Sequence, residues 1–264
     1  MQLDSSQLRV ESPRHHDTLP VCLSTLNSQL STFPVSASKP IPYEATIERI
    51  VELAPETRAF YLRLPPATNF TFVPGQFLSC LLPLGGGEVI RPYSLASDPE
   101  DPLLEICLNH VAGGPGSHYL FSLGVGASLR FTGPWGTFVL SQPPAAECIF
   151  IADGTGIAPI RPMLKRVLAT ESPHAVRLYY AAISSPHLLY RDELEAIARR
   201  HPRFAFTPVL DAPLAAVIED RYMAADTDRS RHFYICGVGD IVPQLRDALR
   251  RAGYERRAVQ YEKW

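Results

Sequence analysis

The pattern of apolar and polar segments changes at Gln142-Pro143-Pro144, and this change most limits what the chain can fold into. Before it, short runs rich in β-branched and aromatic residues recur at intervals of roughly ten residues, with Pro and Gly turns between them. These runs are YEATIERIVEL, RAFYLRL, FLSCLLPL, EVIRPYSLAS, LLEICLNHV, SLRFTG and TFVL. Such spacing predicts an antiparallel barrel or sandwich. One helix is expected in this half, from Ser117 to Leu123.

After the change, buried runs alternate with helical segments. The strands are CIFIA, VRLYYAAI, FAFTPVL and FYIC, and the helices are RPMLKRVLA, RDELEAIARR and the segment after Gly239. This alternation predicts a parallel, doubly wound sheet covered on both faces. We therefore expect a two-domain protein, with an antiparallel β-barrel domain at 41–142 and an α/β doubly wound domain at 145–264. Residues 1–40 are polar and rich in Ser, Thr and Pro, which predicts a loosely attached extension.

Composition excludes several classes of function. A net charge of −2 argues against non-specific nucleic-acid binding, and no apolar run is long enough to predict a membrane span. The five cysteines are widely scattered, without the spacing of a zinc site or an iron–sulfur cluster. No cluster of His or carboxylates has metal-ligand spacing, so no metal site is expected. Scattered cysteines favour a reducing compartment, and the N-terminus lacks a signal sequence, so a cytoplasmic location is expected.

The first chemical motif is Arg91-Pro92-Tyr93-Ser94, on a barrel strand. Because side chains alternate along a strand, we expect Arg91 and Tyr93 on one face and Ser94 on the other. The segment offers a charge for phosphate, an aromatic plane and a hydroxyl. Taken alone, this segment is better explained as an ordinary strand with an exposed Arg and a half-buried Tyr than as a cofactor-binding motif.

Three glycine-containing turns supply the other motifs. Gly113-Gly114-Pro115-Gly116-Ser117 opens the barrel helix, where backbone N–H groups attract anions and glycines let a pyrophosphate come close. Gly154-Thr155-Gly156-Ile157-Ala158-Pro159 follows CIFIA directly and resembles a Rossmann turn, with Pro159 where the third glycine would fall. Cys236-Gly237-Val238-Gly239-Asp240 ends another strand at the ligand-binding edge of such sheets, with Asp240 as a plausible N-cap. For the first turn the alternative is an ordinary glycine-rich turn capped by Ser117, and for the third it is that Cys236 is only a small buried apolar residue.

Together, in this order, the four motifs resemble those of the ferredoxin–NADP reductase superfamily of flavoproteins, over about residues 43–264. The resemblance implies that Arg91 pairs with an FAD phosphate, that Tyr93, after Pro92, packs on the isoalloxazine ring, and that Ser94 hydrogen-bonds near flavin N5. The other implied cofactor contacts are Gly114, Gly116 and Ser117 at the flavin pyrophosphate, Thr155, Gly156 and Pro159 at the NAD(P) pyrophosphate, and Cys236, Gly237 and Asp240 beside the site of hydride transfer.

The last residues, Tyr261-Glu262-Lys263-Trp264, bear on the same site. Several family members end in an aromatic residue that covers the flavin and moves before nicotinamide stacks. The resemblance implies this part for Trp264, with Glu262 close to the flavin, and fraying of the terminus is the alternative. The residues expected at the reacting atoms are therefore Ser94, Cys236, Glu262 and Trp264.

The coenzyme preference is read from the segment after the second strand of the α/β domain. No acidic residue stands there to bind the ribose 2′-hydroxyl of NAD. Ser184, Ser185 and Arg191 are placed to accept a 2′-phosphate, and Tyr190 is expected to stack on adenine. These residues favour NADP over NAD, and the alternative is that Arg191 only begins a helix.

The expected protein is an FAD-containing oxidoreductase that passes a hydride from NAD(P)H to FAD and then electrons to a separate acceptor. The cysteine spacing leaves no room for a fused iron–sulfur domain, so the acceptor is expected to be ferredoxin, flavodoxin, another one-electron carrier or an oxygenase component. The alternatives are a reductase of free flavin or small acceptors, an electron-transfer subunit of a larger complex, and a nucleotide-binding module without flavin.

Overall fold

Two sheets follow one another along the chain. The computed structural model describes residues 40–140, 144–224 and 226–264. The first sheet holds β1 (Tyr43–Ala54), β2 (Thr57–Arg63), β3 (Phe77–Leu84), β4 (Gly87–Ser94), β5 (Leu104–Asn109) and β6 (Ser128–Trp135). Its pairs are all antiparallel, in the order β4-β3-β6-β1-β2-β5. A bridge from Leu95 to Ile106 brings the two outer strands together, so the sheet curves into a barrel.

Local sequence accounts for much of the barrel. Gly85 and Gly86 both have positive φ, 61° and 77°, between strands paired at Leu84 and Gly87, which makes a tight two-residue hairpin turn. The barrel interior is filled by fully buried apolar side chains that include Ile47, Phe60 and Phe131. The barrel helix α1 (Pro115–Ser122) has Pro115 at its first position, where the missing N–H costs no hydrogen bond.

The second sheet is entirely parallel. It holds β7 (Cys148–Asp153), β8 (Val176–Ala181), β9 (Phe204–Val209), β10 (His232–Gly237) and β11 (Val259–Lys263), in the order β11-β10-β7-β8-β9. The chain runs outward from β7 to β9 and then returns to the other side of β7. The strand order thus reverses between β7 and β10, and ligands of such sheets bind beside the carboxyl ends of the strands at this point.

Helices cover both faces of this sheet. They are α2 (Ile157–Ala169), α3 (Arg191–Arg200), α4 (Leu214–Glu219) and α5 (Ile241–Arg251). Phe150 packs with residues of α2 and α3 on one face, whereas Ile149 and Ile151 pack with α4 and α5 on the other. The antiparallel barrel and the doubly wound sheet predicted from the sequence are both confirmed. Within the described ranges, no helix is long and apolar enough to span a membrane.

Several local expectations need correction. The barrel helix begins at Pro115, before Ser117, and α2 begins at Ile157 although Pro159 and Pro162 lie within it. The run TFVL forms no strand. Asp240 occupies the N-cap position of α5, but its carboxylate caps no helix N–H and instead accepts from Lys263 at 3.1 Å. The predicted extension lies outside the described residues, except for Pro40.

Candidate active site

A cavity of about 370 Å³ lies where the barrel meets the carboxyl edge of the parallel sheet. Its wall includes residues from all four predicted motifs and from the chain terminus: Arg91, Tyr93, Ser94, Gly116, Thr155, Val238 and Trp264. This volume is within the usual range for small-molecule sites. The cavity also lies at the reversal of strand order in the parallel sheet, which is where such folds bind ligands.

The end of β4 presents three different chemical groups to this cavity. Arg91 is exposed, Tyr93 is half-buried and Ser94 is buried. Alternation predicted that Ser94 would face away from the other two, yet all three line the cavity. Burial raises the pKa of the Tyr93 hydroxyl above its ordinary value.

The guanidinium of Arg91 lies beside the start of α1. Its side-chain hydrogen bond among the described residues is from Nη1 to the carbonyl of Ile90, at 2.9 Å. Gly116 approaches so closely that an added Cβ would stand 2.9 Å from Cγ of Arg91. Most guanidinium N–H groups of Arg91 are therefore available to a ligand.

The first turn of α1 adds backbone donors to the same wall. Its N-cap is Gly114, which has no side chain to accept from the first helical N–H groups. The hydroxyl of Ser117 accepts from Val111 N–H at 3.0 Å and donates to the carbonyl of Gly114 at 3.1 Å, so it stabilises the turn. An uncapped helix start beside an available guanidinium is suited to phosphate, and these residues fit the pyrophosphate of FAD.

The two glycine turns of the parallel sheet touch each other. A Cβ on Gly156 would lie 2.1 Å from the carbonyl oxygen of Cys236, and one on Gly237 would lie 2.9 Å from Cβ of Asp153. Gly156 has φ −59°, so it is required for space and not for an unusual backbone conformation. This close approach leaves Thr155 in the cavity wall. Burial also raises the pKa of Asp153, which ends β7 just before the turn.

Some predicted residues lie behind the cavity wall. Cys236 is 1% exposed, and Pro159 is buried in the first turn of α2. Burial raises the pKa of the Cys236 thiol well above its usual value, and the nearby Glu262 acts in the same direction. Cys236 therefore behaves as a small protonated side chain that shapes the wall. Asp240 is engaged by Lys263 and is not in the wall.

The chain terminus is held in place at the cavity. The N–H of Trp264 donates to the carbonyl of Gly237 at 3.1 Å, and its indole ring packs edge-on against Phe77 with centroids 5.6 Å apart. On the preceding strand, Glu262 pairs with Cys236 across β11 and β10. Ser94 donates to the carboxylate of Glu262 at 3.5 Å. The terminus thus brings Trp264 and Glu262 to Ser94, 168 residues away in sequence.

Glu262 is expected to make stability depend on pH. Burial raises its pKa to about 7, against the lowering effect of the hydrogen bond from Ser94. The folded protein therefore holds this proton more tightly than the unfolded chain. Its contribution to stability is fully present below the ordinary carboxyl pKa of 4.5 and is lost as the pH rises through about 7. Glu262→Gln should therefore raise Tm at pH 8 and flatten the fall of Tm between pH 5 and 8. The corresponding loss of unfolding free energy over this range should be smaller by roughly 1–3 kcal/mol.

The exposed Glu255, on the same C-terminal segment, provides the control. Glu255→Gln should leave the pH profile of Tm unchanged, as measured by thermal unfolding of the FAD-free protein. A Glu262→Gln profile parallel to that of the unmodified protein would refute the assignment of this titration to Glu262.

The polar side chains of the segment after β8 form hydrogen bonds with one another. Arg191 donates from Nη1 to the hydroxyl of Ser185 at 2.6 Å and from Nε to Glu195 at 2.7 Å. The hydroxyl of Ser184 lies 2.7 Å from Nδ1 of His187. His187 was not among the predicted coenzyme contacts. It follows a proline and precedes two leucines, so its neighbours in sequence do not mark it as part of a polar site.

Tyr190 differs from its expectation. Its hydroxyl donates to Glu105 of the barrel at 2.7 Å, and the guanidinium of Arg161 lies 4.4 Å from its ring centroid. Stacking on adenine, as predicted for Tyr190, would require these contacts to break. Neither Glu105 nor Arg161 belongs to a recognised motif, and only the three-dimensional structure brings them to Tyr190.

The two domains match known family models. The description "Oxidoreductase FAD-binding domain" matches residues 44–140, and "Oxidoreductase NAD-binding domain" matches residues 150–246. The chain is 33% identical to ferredoxin–NADP reductase B of Sorangium cellulosum, over 84% of this chain and 98% of that one. It is 28% identical to the toluate 1,2-dioxygenase electron transfer component of Pseudomonas putida, over 84% of this chain and 67% of that one.

Solved structures of reductases resemble this chain as well. An Amycolatopsis cytochrome P450 reductase superimposes with a TM-score of 0.74 at 28% identity, over 84% of this chain and 69% of that one. A ferredoxin–NADP reductase from Neisseria gonorrhoeae, determined with bound FAD and NADP, superimposes with a TM-score of 0.72 at 21% identity, over 84% of this chain and 98% of that one, and shares the fold. The chain therefore belongs to the ferredoxin–NADP reductase family of oxidoreductases, which bind FAD and NAD(P) and pass electrons from NAD(P)H through FAD to a separate acceptor.

Proposed function

We propose that FAD lies in the cavity with its pyrophosphate at the start of α1 and its isoalloxazine ring between Tyr93 and Trp264. The observation that carries this proposal is the single cavity wall formed by the end of β4, α1, Thr155 and the chain terminus. In this arrangement Arg91, with most of its guanidinium unpaired, neutralises phosphate charge. The domain limits that we propose, 41–142 and 145–264, enclose the two matched regions.

Bound FAD supplies the redox chemistry, because it accepts a hydride and releases electrons one at a time. The protein residues orient the partners. Ser94 and Glu262 hold a hydrogen-bonded pair at the place proposed for flavin N5, and Cys236 closes the wall behind the nicotinamide. The contact between Gly156 and the turn after β10 sets how closely the nicotinamide approaches the flavin. Hydride transfer needs the reacting atoms of the two rings about 3–3.5 Å apart.

We propose NADP as the preferred coenzyme, with Ser184, Ser185, His187 and Arg191 around its 2′-phosphate. The hydrogen bond between Arg191 and Ser185 supports this, because it places one end of the guanidinium at the Ser185 hydroxyl. Comparing kcat/KM for NADPH and NADH tests the preference. Equal values, or a higher value for NADH, would contradict it.

We further propose that the acceptor is a one-electron carrier protein such as ferredoxin or flavodoxin, or an oxygenase component, in the cytoplasm. The names of the relatives support this, since one is a ferredoxin–NADP reductase and another serves toluate 1,2-dioxygenase. The test supplies FAD-loaded protein and NADPH with ferredoxin, flavodoxin or free FMN. Faster turnover with a protein carrier is expected, and faster turnover with free FMN would favour the alternative of a free-flavin reductase.

Trp264 is proposed to cover the flavin face that nicotinamide must reach. Trp264→Ala keeps the backbone hydrogen bonds of the terminus and removes the indole, so we expect a coenzyme KM lower by about tenfold, equivalent to about 1.4 kcal/mol. Trp264→Phe keeps an aromatic plane and is the matched control, with a KM near that of the unmodified protein. Steady-state kinetics with both coenzymes make the comparison. An unchanged KM for Trp264→Ala would mean that the indole does not compete with nicotinamide.

A further inference from the structure

A network of polar side chains lies where the barrel meets α2 and α3. We call it the interdomain network. Its members are Asp98, Glu105, Arg161, Lys165, Tyr190 and Glu193. Asp98 and Glu105 belong to the barrel half of the chain, and the other four belong to the α/β half. No sequence motif marks these residues as a group.

Arg161 is the centre of the network. Its Nη1 donates to Glu105 at 2.8 Å and to the carbonyl of Ala96 at 2.7 Å, both in the barrel half. Its Nε donates to Glu193 on α3, at 2.8 Å. The side chains of Arg161 and Glu105 are only 12% and 3% exposed. One planar guanidinium thus ties the barrel to two helices of the other domain.

Tyr190 and Lys165 extend these ties. The hydroxyl of Tyr190 donates to the second carboxylate oxygen of Glu105 at 2.7 Å, while its ring lies beneath the guanidinium of Arg161. Tyr190 has φ 56°, a left-handed conformation that costs energy for a residue with a side chain. Lys165 bridges Glu193 at 2.8 Å and Asp98 at 3.3 Å.

Apolar side chains surround the network, so burying its charged groups costs desolvation free energy. Ala59, Ala96 and Cys107 of the barrel half share one buried cluster with Ile157 and Leu189 of the α/β half. Burial disfavours the charge of Arg161, but the two carboxylates outweigh it and raise its pKa. Buried ion pairs contribute little net stability compared with apolar packing, so stability alone gives a weak reason for this network.

The position of the network suggests a different reason. Ala96 follows Ser94 by two residues, and Cys107 follows Glu105 by two residues, with Ser94 and Cys107 both in the cavity wall. On the other side, α2 carries Ala158 in the same wall, three residues before Arg161. Tyr190 lies directly before Arg191, within the segment proposed to hold the coenzyme 2′-phosphate. The network therefore joins the flavin wall, the nicotinamide turn and the coenzyme segment.

We propose that Arg161 is a positioning residue, which through Glu105 and Tyr190 fixes the α/β domain against the flavin wall at the separation that hydride transfer requires. This inference rests on the proposed function. Arg161 touches neither proposed cofactor. A small displacement between reacting groups is enough to slow such a reaction by about 100-fold.

Arg161→Lys tests the proposal, because Lys keeps the charge but lacks the planar fork that reaches both domains. We expect the FAD-loaded variant to be reduced by saturating NADPH at least tenfold more slowly, with FAD affinity unchanged. Reduction by dithionite, which does not depend on domain position, should keep its rate. In the FAD-free variant, amide hydrogen exchange should accelerate in β5 and at the start of α3. Glu105→Gln is the second variant if Arg161→Lys does not fold.

Arg231→Lys is the matched control. Arg231 is 16% exposed and donates to Glu147 at 2.7 Å in a second half-buried network, within the α/β domain at the amino edge of its sheet. It should lower Tm without slowing reduction by NADPH. Equal reduction rates for Arg161→Lys and Arg231→Lys would overturn the positioning role. If NADPH fails to reduce the unmodified FAD-loaded protein, the proposed function fails instead, which is a separate outcome.

Discussion

Gly156→Ala should destabilise the protein and weaken its binding of NAD(P)H together. The added Cβ would lie 2.1 Å from the carbonyl oxygen of Cys236 and 2.5 Å from its carbonyl carbon, so the β7–α2 turn must move away from β10. Both neighbouring atoms are backbone, and no rotamer change relieves the clash. Overpacking of this kind costs about 3 kcal/mol, which for a chain of this size lowers Tm by roughly 6–12 °C. The same displacement carries Thr155 out of the cavity wall, so the coenzyme KM should rise by about tenfold or more.

Gly124→Ala is the control for this prediction. A Cβ on Gly124 meets nothing within 4 Å, and its backbone is not in the left-handed region. It should leave Tm and the coenzyme KM unchanged. If Gly156→Ala matches Gly124→Ala in both thermal unfolding and NADPH kinetics, the two turns do not approach each other as described.

Arg91→Ala should lower FAD affinity with little effect on the stability of the FAD-free protein. Its described side-chain hydrogen bond goes only to the neighbouring carbonyl of Ile90, so little native structure is lost. A charge-assisted contact to phosphate is worth about 1.5–3 kcal/mol, which corresponds to roughly 10- to 150-fold in the FAD dissociation constant. Titration of the FAD-free protein, followed by quenching of flavin fluorescence, measures this constant.

Arg130→Ala separates the role of Arg91 from a general loss of positive charge. Arg130 lies on β6 of the same barrel, is half-exposed and pairs with Glu88 at 3.0 Å, outside the cavity wall. Its removal should leave FAD affinity unchanged. Equal losses of affinity in the Arg91 and Arg130 variants would mean that Arg91 acts only through net charge.

The sequence predicted the architecture because both sheets depend on local patterns. Runs rich in β-branched and aromatic residues between Pro and Gly turns placed most barrel strands within one or two residues, and FLSCLLPL matches β3 in full. The helix predicted as RDELEAIARR is α3, with Asp192 and Glu193 in its first turn and basic residues in its last, as the helix dipole favours. Order of motifs along the chain then identified the family.

What escaped prediction depends on tertiary contacts. Tyr190 was predicted to stack on adenine. Nothing near it in sequence shows that Glu105, 85 residues away, accepts a hydrogen bond from its hydroxyl. Asp240 was predicted to cap a helix. The ammonium of Lys263, which instead binds its carboxylate, lies on another element of the fold and is not apparent from the local sequence. The helix α2 begins before the predicted segment RPMLKRVLA and includes Pro159 in its first turn, where the missing N–H costs no hydrogen bond.

Anaerobic single-turnover reduction tests whether this protein passes electrons from NADPH through bound FAD to a separate carrier. The protein is reconstituted with FAD, freed of excess cofactor and mixed with NADPH or NADH while the visible absorption band of the bound flavin is followed. We expect bound FAD to be retained through gel filtration, NADPH to bleach the band faster than NADH, and an added one-electron carrier to restore it. Failure to retain FAD, or a band that neither coenzyme bleaches, would refute the proposed electron path from NADPH through FAD to a carrier.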